Sequence, residues 1–231
     1  KQCPAITENP IWLIDNHSSW NQLYKQKIKG NPQITYNSDK NFFYIINGSN
    51  QLTVLNPITQ KSYSINNIKG KLASEKNNQI TYDPYNHRLI SYSLDQKSIS
   101  VFSPENNSWS GTFTNSIDPA YIHHTVAISP KDTSLITFGG YGYYLYKNTL
   151  FKVNLNTHRW DSLQIKEISP RFSAVSTIIN NTLIFGGKGS KNGRQEEVSH
   201  NLYDLYAVDL ATFGIKKIWE IKSNIDMNPK S

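Results

Sequence analysis

Cysteine is almost absent: Cys3 is the only one in 231 residues. A single thiol cannot close an intrachain disulfide, hold a Cys-based zinc cluster or make a redox pair. Cys3 therefore reads as a free thiol near the N-terminus. Charge is sparse too, at 18% of residues. No apolar run approaches the roughly 18 residues of a spanning helix, so no membrane span is expected in this chain. Alanine is scarce, while Asn, Ser, Ile, Thr and Tyr dominate. That composition disfavours long helices and suits strands and turns. The charge that is present leans basic, 24 Lys and Arg against 17 Asp and Glu, or +7 net. The lysines are scattered, and the densest pieces, 25–29 and 69–76, are spaced like solvated loops, so no nucleic acid is expected as a partner. The chain begins without Met at Lys1. Such a start fits a processed or trimmed end and favours an extracytoplasmic setting, periplasmic or secreted. Four sequons, at Asn16, Asn47, Asn106 and Asn180, are expected by chance in so Asn-rich a chain.

Packing material is ample, with 14 Tyr, 9 Phe and 5 Trp, which excludes disorder as the default reading. It is also periodic. Gln33-Ile34-Thr35-Tyr36 recurs as Gln79-Ile80-Thr81-Tyr82, 46 positions on, and Phe138-Gly139-Gly140 recurs as Phe185-Gly186-Gly187, 47 positions on. A third pattern runs from an apolar strand through a polar turn to an aromatic. It appears in 11–20, 99–109 and 150–160, and more weakly in 52–63 and 205–219. The turns carry Asn, Asp, Pro, Ser and Thr, which favour tight connections, so each such piece reads as a hairpin. Period-two alternation then predicts four strands per unit: 33–36, 42–46, 51–55 and 62–65; 79–82, 88–93, 98–102 and 109–113; 124–128, 134–138, 149–154 and a strand from Trp160; 172–178, 182–185, 205–209 and 215–221. Four antiparallel strands in about 47 residues is the sequence form of a propeller blade.

The pattern resembles kelch repeats, of the kind also found in the galactose-oxidase-like central domain. Residues 121–165 carry it as ITFGG, NTLFKVN and NTHRW, and residues 170–221 as PRFSAV, LIFGG and LYAVDLAT, with Trp219 four positions late. Residues 31–69 and 77–115 lack Gly-Gly and are degenerate. The resemblance implies one all-β domain over 1–231, a kelch-type β-propeller of four-stranded antiparallel blades. It would have a partial blade at 11–23, four complete blades at 31–69, 77–115, 121–165 and 170–223, and an incomplete ring or one of few blades. Gly139, Gly140, Gly186, Gly187, Trp109 and Trp160 are then architectural. The partial blade lacks its inner strands, and 222–231 is too short and polar to supply them. An open propeller edge next to 215–221 is therefore expected to contact a further segment or a neighbouring molecule.

In a four-stranded antiparallel blade the second-to-third loop and the blade-to-blade loop emerge on one face. Two such loops stand out. Residues 140–147 carry Tyr141, Tyr143, Tyr144 and Tyr146. Residues 188–201 carry Lys188, Lys191, Arg194, Glu196, Glu197 and His200. Tyrosines beside an Arg and carboxylates can stack on and hydrogen-bond a glycan, a peptide or a protein, whereas the bland alternative is a solvated insertion. Arg171, after Pro170, is a candidate anion ligand near the central channel, with pairing to a carboxylate as its alternative. His123 and His124 are adjacent, and on a strand they would point to opposite faces, so no metal is assigned to them. His17, His87 and His158 fall in turns. No cofactor is implied. A copper radical oxidase would need a Cys–Tyr crosslink beside two His and a Tyr, and Cys3 is the only Cys. The expected function is a non-catalytic binding module, with a kelch-type sugar mutarotase using Arg194 and Glu196 or Glu197 as the alternative.

Overall fold

The computed structural model describes residues 32–75, 79–110 and 121–221, and among them there is no helix. The partial blade expected at 11–23, Cys3, His17 and residues 222–231 lie outside the described residues. Four four-stranded antiparallel sheets follow one another along the chain. The first comprises β1 (Gln33–Asn37), β2 (Phe42–Ile46), β3 (Gln51–Asn56) and β4 (Lys61–Asn66). The second comprises β5 (Ile80–Asp83), β6 (Arg88–Ser93), β7 (Ser98–Ser103) and β8 (Ser108–Trp109). The third comprises β9 (Thr125–Ile128), β10 (Ser134–Phe138), β13 (Thr149–Asn154) and β14 (Trp160–Gln164), with the small hairpin of β11 (Tyr141–Gly142) and β12 (Leu145–Tyr146) between its middle strands. A short ribbon of β15 (Arg171–Phe172), β18 (Lys188–Gly189) and β19 (His200–Asn201) stands beside the fourth sheet. That sheet comprises β16 (Val175–Ile179), β17 (Asn181–Phe185), β20 (Asp204–Val208) and β21 (Ile215–Glu220).

The turns between strands are locally encoded. Asn37, Asn56, Asp83, Asn154 and Asp209 each accept two backbone N–H bonds from residues two and three positions on. Such Asx turns let a side chain imitate a turn of backbone. The fourth residue after each is left-handed: Asn41, Gln60, His87, His158 and Phe213 have φ between 52° and 57°. The chain thus reverses five times with one recipe, and the polar turn residues legible in the sequence are its ingredients.

Strand alternation sends neighbouring residues to opposite faces, and each face buries a different cluster. Leu89 packs with Ile46, Leu52, Val54 and Trp109 between the first and second sheets. Its neighbour Ile90 packs with Tyr92, Leu135 and Val153 between the second and third. Ile136, next to Leu135, packs with Phe138, Leu150, Tyr206 and Val208 between the third and fourth. The sheets therefore stack face to face in chain order, with β1 beside β5 and β9 beside β16. The repeated glutamine contributes a polar tie. Buried Gln33 donates from Nε2 to the Ser74 carbonyl (2.8 Å), and buried Gln79 donates to that of Tyr121 (3.2 Å), each just ahead of the next sheet.

Several positions differ from the expectation. Trp109 faces Phe102 and Trp160 faces Val153, but the corresponding pairs are Leu55 with Ser62 and Val208 with Ile215. Tyr63 and Trp219 are thus not counterparts of these tryptophans. Trp219 lies beyond a register shift between Leu205 and Tyr206, and is 37% exposed. The His123–His124 pair precedes β9 rather than lying on it. His123 is exposed with φ 56°, and the half-buried His124 bonds the Tyr92 hydroxyl through Nε2 (2.9 Å). The 188–201 segment is partly paired as β18 and β19, not a plain loop.

Candidate ligand-binding face

The hairpin β11–β12 turns through two tyrosines. Tyr143 and Tyr144 have φ of 55° and 63°, the signature of a type I′ turn, whose central positions favour Asn and Gly. A side chain held in this region costs about 1–2 kcal/mol per residue. Neither ring recovers that cost by burial, since they are 63% and 76% exposed. Asp95, from the turn after β6, faces the Tyr143 hydroxyl and raises its pKa above the usual phenol value.

The long segment after β18 docks onto this hairpin. The Tyr146 N–H donates to the Gly193 carbonyl (2.7 Å), and the Gln195 N–H to that of Tyr144 (3.2 Å). Leu145 and Arg194 form a β-bridge, and the Tyr141 hydroxyl donates to Gln195 Oε1. Gly193 permits the approach: at φ 78°, a Cβ there would lie 2.8 Å from the Tyr146 carbonyl oxygen and 2.9 Å from Pro170 Cβ. Under the hairpin, Tyr146 stacks on Phe172 at 5.1 Å and 16°. The segment is also braced within itself. Glu197 accepts from the Asn192 N–H (2.9 Å) and side-chain amide (2.8 Å), and these bonds hold its carboxyl below the usual range.

Beside the hairpin lies a cleft of about 540 Å³, within the usual 300–1,000 Å³ of small-ligand sites. Three chain segments converge on it. Leu145, Tyr146, Lys147 and Asn148 come from the hairpin and its exit, Gln164, Lys166, Glu167, Ser169 and Pro170 from the link after β14, and Lys191 and Asn192 from the long segment. Its charged lining is three lysines and one glutamate. Asn148 is fixed in place, donating to the Ile165 carbonyl (2.8 Å) and accepting from Gln164 Nε2 (3.4 Å).

The residues singled out from sequence divide into three groups. Tyr141, Tyr143, Tyr144, Lys191, Arg194 and Glu197 belong to the docked hairpin and segment or the cleft edge. Lys188 and His200 sit on the β18–β19 ribbon, and Glu196 is exposed near the segment's far end. Arg171 takes the alternative role. It is fully buried and bidentate to Asp204 (2.5 and 2.9 Å), and also donates to the Gly186 and Ser169 carbonyls. No atom of it is offered to a ligand. Sequence reasoning passed over Lys147 and Lys166. Both lie in the two loop types expected on this face, and that was the signal that could have found them.

No protein-family model matches the chain, and no curated protein matches its sequence. Among the described residues no three His, Cys, Asp or Glu side chains gather as a metal site, and no helix is long and apolar enough to cross a membrane.

Proposed function

We propose that the four sheets are blades of a kelch-like β-propeller and that the chain is a non-catalytic binding module using the hairpin face. Face-to-face stacking of four-stranded sheets in chain order supports the propeller reading, as do the paired glycines at φ 70° and 108° and at 58° and 109°. The observation that carries the binding role is the exposed Tyr143–Tyr144 tip. Strained, solvent-facing aromatics next to a polar cleft are costly to keep unless something uses them. Their rings offer flat apolar area for a sugar or a peptide, and the hydroxyls and the cleft amides offer hydrogen bonds. The mutarotase alternative is less well supported. Of its two candidate acids, Glu196 is exposed, and Glu197 is tied to Asn192 with its carboxyl held below the usual range, which suits a structural anion rather than a proton donor. A glycan and peptide array with the wild type and with Tyr143→Ala plus Tyr144→Ala tests the reading. Binding that drops at least tenfold in the double variant is expected. Unchanged binding would remove the hairpin from the site.

A further inference from the structure

Resting on the binding reading above, we propose that the cleft beside the hairpin takes an acidic oligosaccharide, with a carboxylate or sulfate seated among Lys147, Lys166 and Lys191. Lys147, Lys166 and Lys191 line one cleft from three separate segments, and Glu167 is the one acidic residue in that lining. None of the three forms an ion pair among the described residues. Gathering like charges around a concavity raises the local positive potential, which is relieved when an anion enters. The chain's net +7 adds to the same field.

The rest of the lining selects the kind of anion. Asn148, Gln164 and Asn192 supply amides and Ser169 a hydroxyl, groups that match sugar hydroxyls. Apolar lining is limited to Leu145, Pro170 and the face of Tyr146, too little to anchor a buried peptide side chain in the way peptide interfaces require. The adjoining Tyr143–Tyr144 tip gives a platform for the apolar face of a neighbouring pyranose ring. Carboxylated and sulfated sugars share this chemistry, and separate probes tell them apart.

The test is titration calorimetry on the full chain with four probes: tetragalacturonate, its neutral methyl ester, a sulfated tetrasaccharide and an acidic Asp/Glu decapeptide. Either acidic sugar should bind at least tenfold more tightly than the neutral ester. Raising salt should weaken that binding. Each of Lys147→Ala, Lys166→Ala and Lys191→Ala should weaken it about three- to tenfold, as expected for one charge-assisted contact at a partly exposed site. Lys→Arg at the same positions should recover most of it, and circular dichroism should show all variants folded. The better of the two acidic sugars identifies the anion as carboxylate or sulfate. Equal binding of the ester, indifference to the lysine variants, tighter binding of the decapeptide or no binding of either acidic sugar would each overturn the proposal. The hairpin reading is judged separately. Neutral-ester binding lost in the tyrosine double variant upholds that reading while sinking this one.

Discussion

At the scale of single residues, two side chains sit in states that folding alone does not favour. Tyr143 and Tyr144 occupy positive-φ positions without burial. Replacing them with Asn and Gly should fit the turn better and stabilise the fold by about 1 kcal/mol or more, raising the thermal midpoint by about 2–4 °C for a chain of this size. Ligand binding should be lost in the same variant. A fall in the midpoint would show that the tyrosines support the fold. His124 is held neutral. Burial, and next the neighbouring His123, push its pKa down to about 4. Its ring faces Tyr92 and Tyr121, and its Nδ1 has no hydrogen-bond partner among the described residues. The unfolded chain takes up this proton near the ordinary pKa of about 6.5, whereas the fold refuses it down to about 4. The resulting stability is complete above pH 6.5 and is lost as pH falls toward 4, by about 1–2 kcal/mol at pH 5. Urea unfolding of His124→Gln at pH 7 and pH 5 should show a smaller loss between the two than the wild type. An identical loss would place the titration elsewhere.

At the scale of elements, the Arg171–Asp204 pair joins the β15 ribbon to β20, with the two side chains 0% and 7% exposed. Asp204→Asn keeps the shape but strands a buried cation, at a cost of about 3–5 kcal/mol. Arg171→Met with Asp204→Leu should recover most of that loss, because the desolvation of both charges disappears with them. Chemical denaturation of both variants checks the difference. A mild effect of Asp204→Asn would mean that the Gly186 and Ser169 carbonyls suffice for the guanidinium. Elements of this length also show where sequence reading works. β2, β6, β10 and β13 begin and end where period-two alternation places them. Each carries a run of half-buried or buried residues long enough for the period to show. β11, β12, β15, β18 and β19 span two residues each, too short for any period; β11 pairs only with β12, and β18 with β15 and β19, among the described residues.

At the scale of the whole molecule, the core clusters of the described residues join each sheet to its neighbours in chain order, so stability should behave as a sum of nearest-neighbour interfaces. The fourth sheet turns its other face outward, with Val175 67% and Ile179 64% exposed. Val175→Thr and Ile179→Thr should each change stability by no more than about 0.5 kcal/mol. Ile136→Ala, at the buried interface of the third and fourth sheets, should cost about 2–5 kcal/mol. Thermal and urea unfolding compare them. Losses above about 2 kcal/mol at Val175 or Ile179 would mean that this face is covered in solution.

The sequence by itself determined the repeat, the strands and the turns, because those depend on neighbours a few residues apart. Asn56, Asp83 and Asn154 bend their own backbone, alternation splits Leu89 from Ile90, and Gly140 leaves room where a Cβ would strike Tyr121 and the Ile122 carbonyl. Only the tertiary structure decided that Arg171 is spent on Asp204, that Ile215 rather than Trp219 fills the place opposite Val208, and that Lys147, Lys166 and Lys191 share a cleft. Those outcomes depend on which distant segments meet. A turn residue acts on its own chain, but a cleft is defined by the packing of loops that local sequence leaves free to lie in many ways.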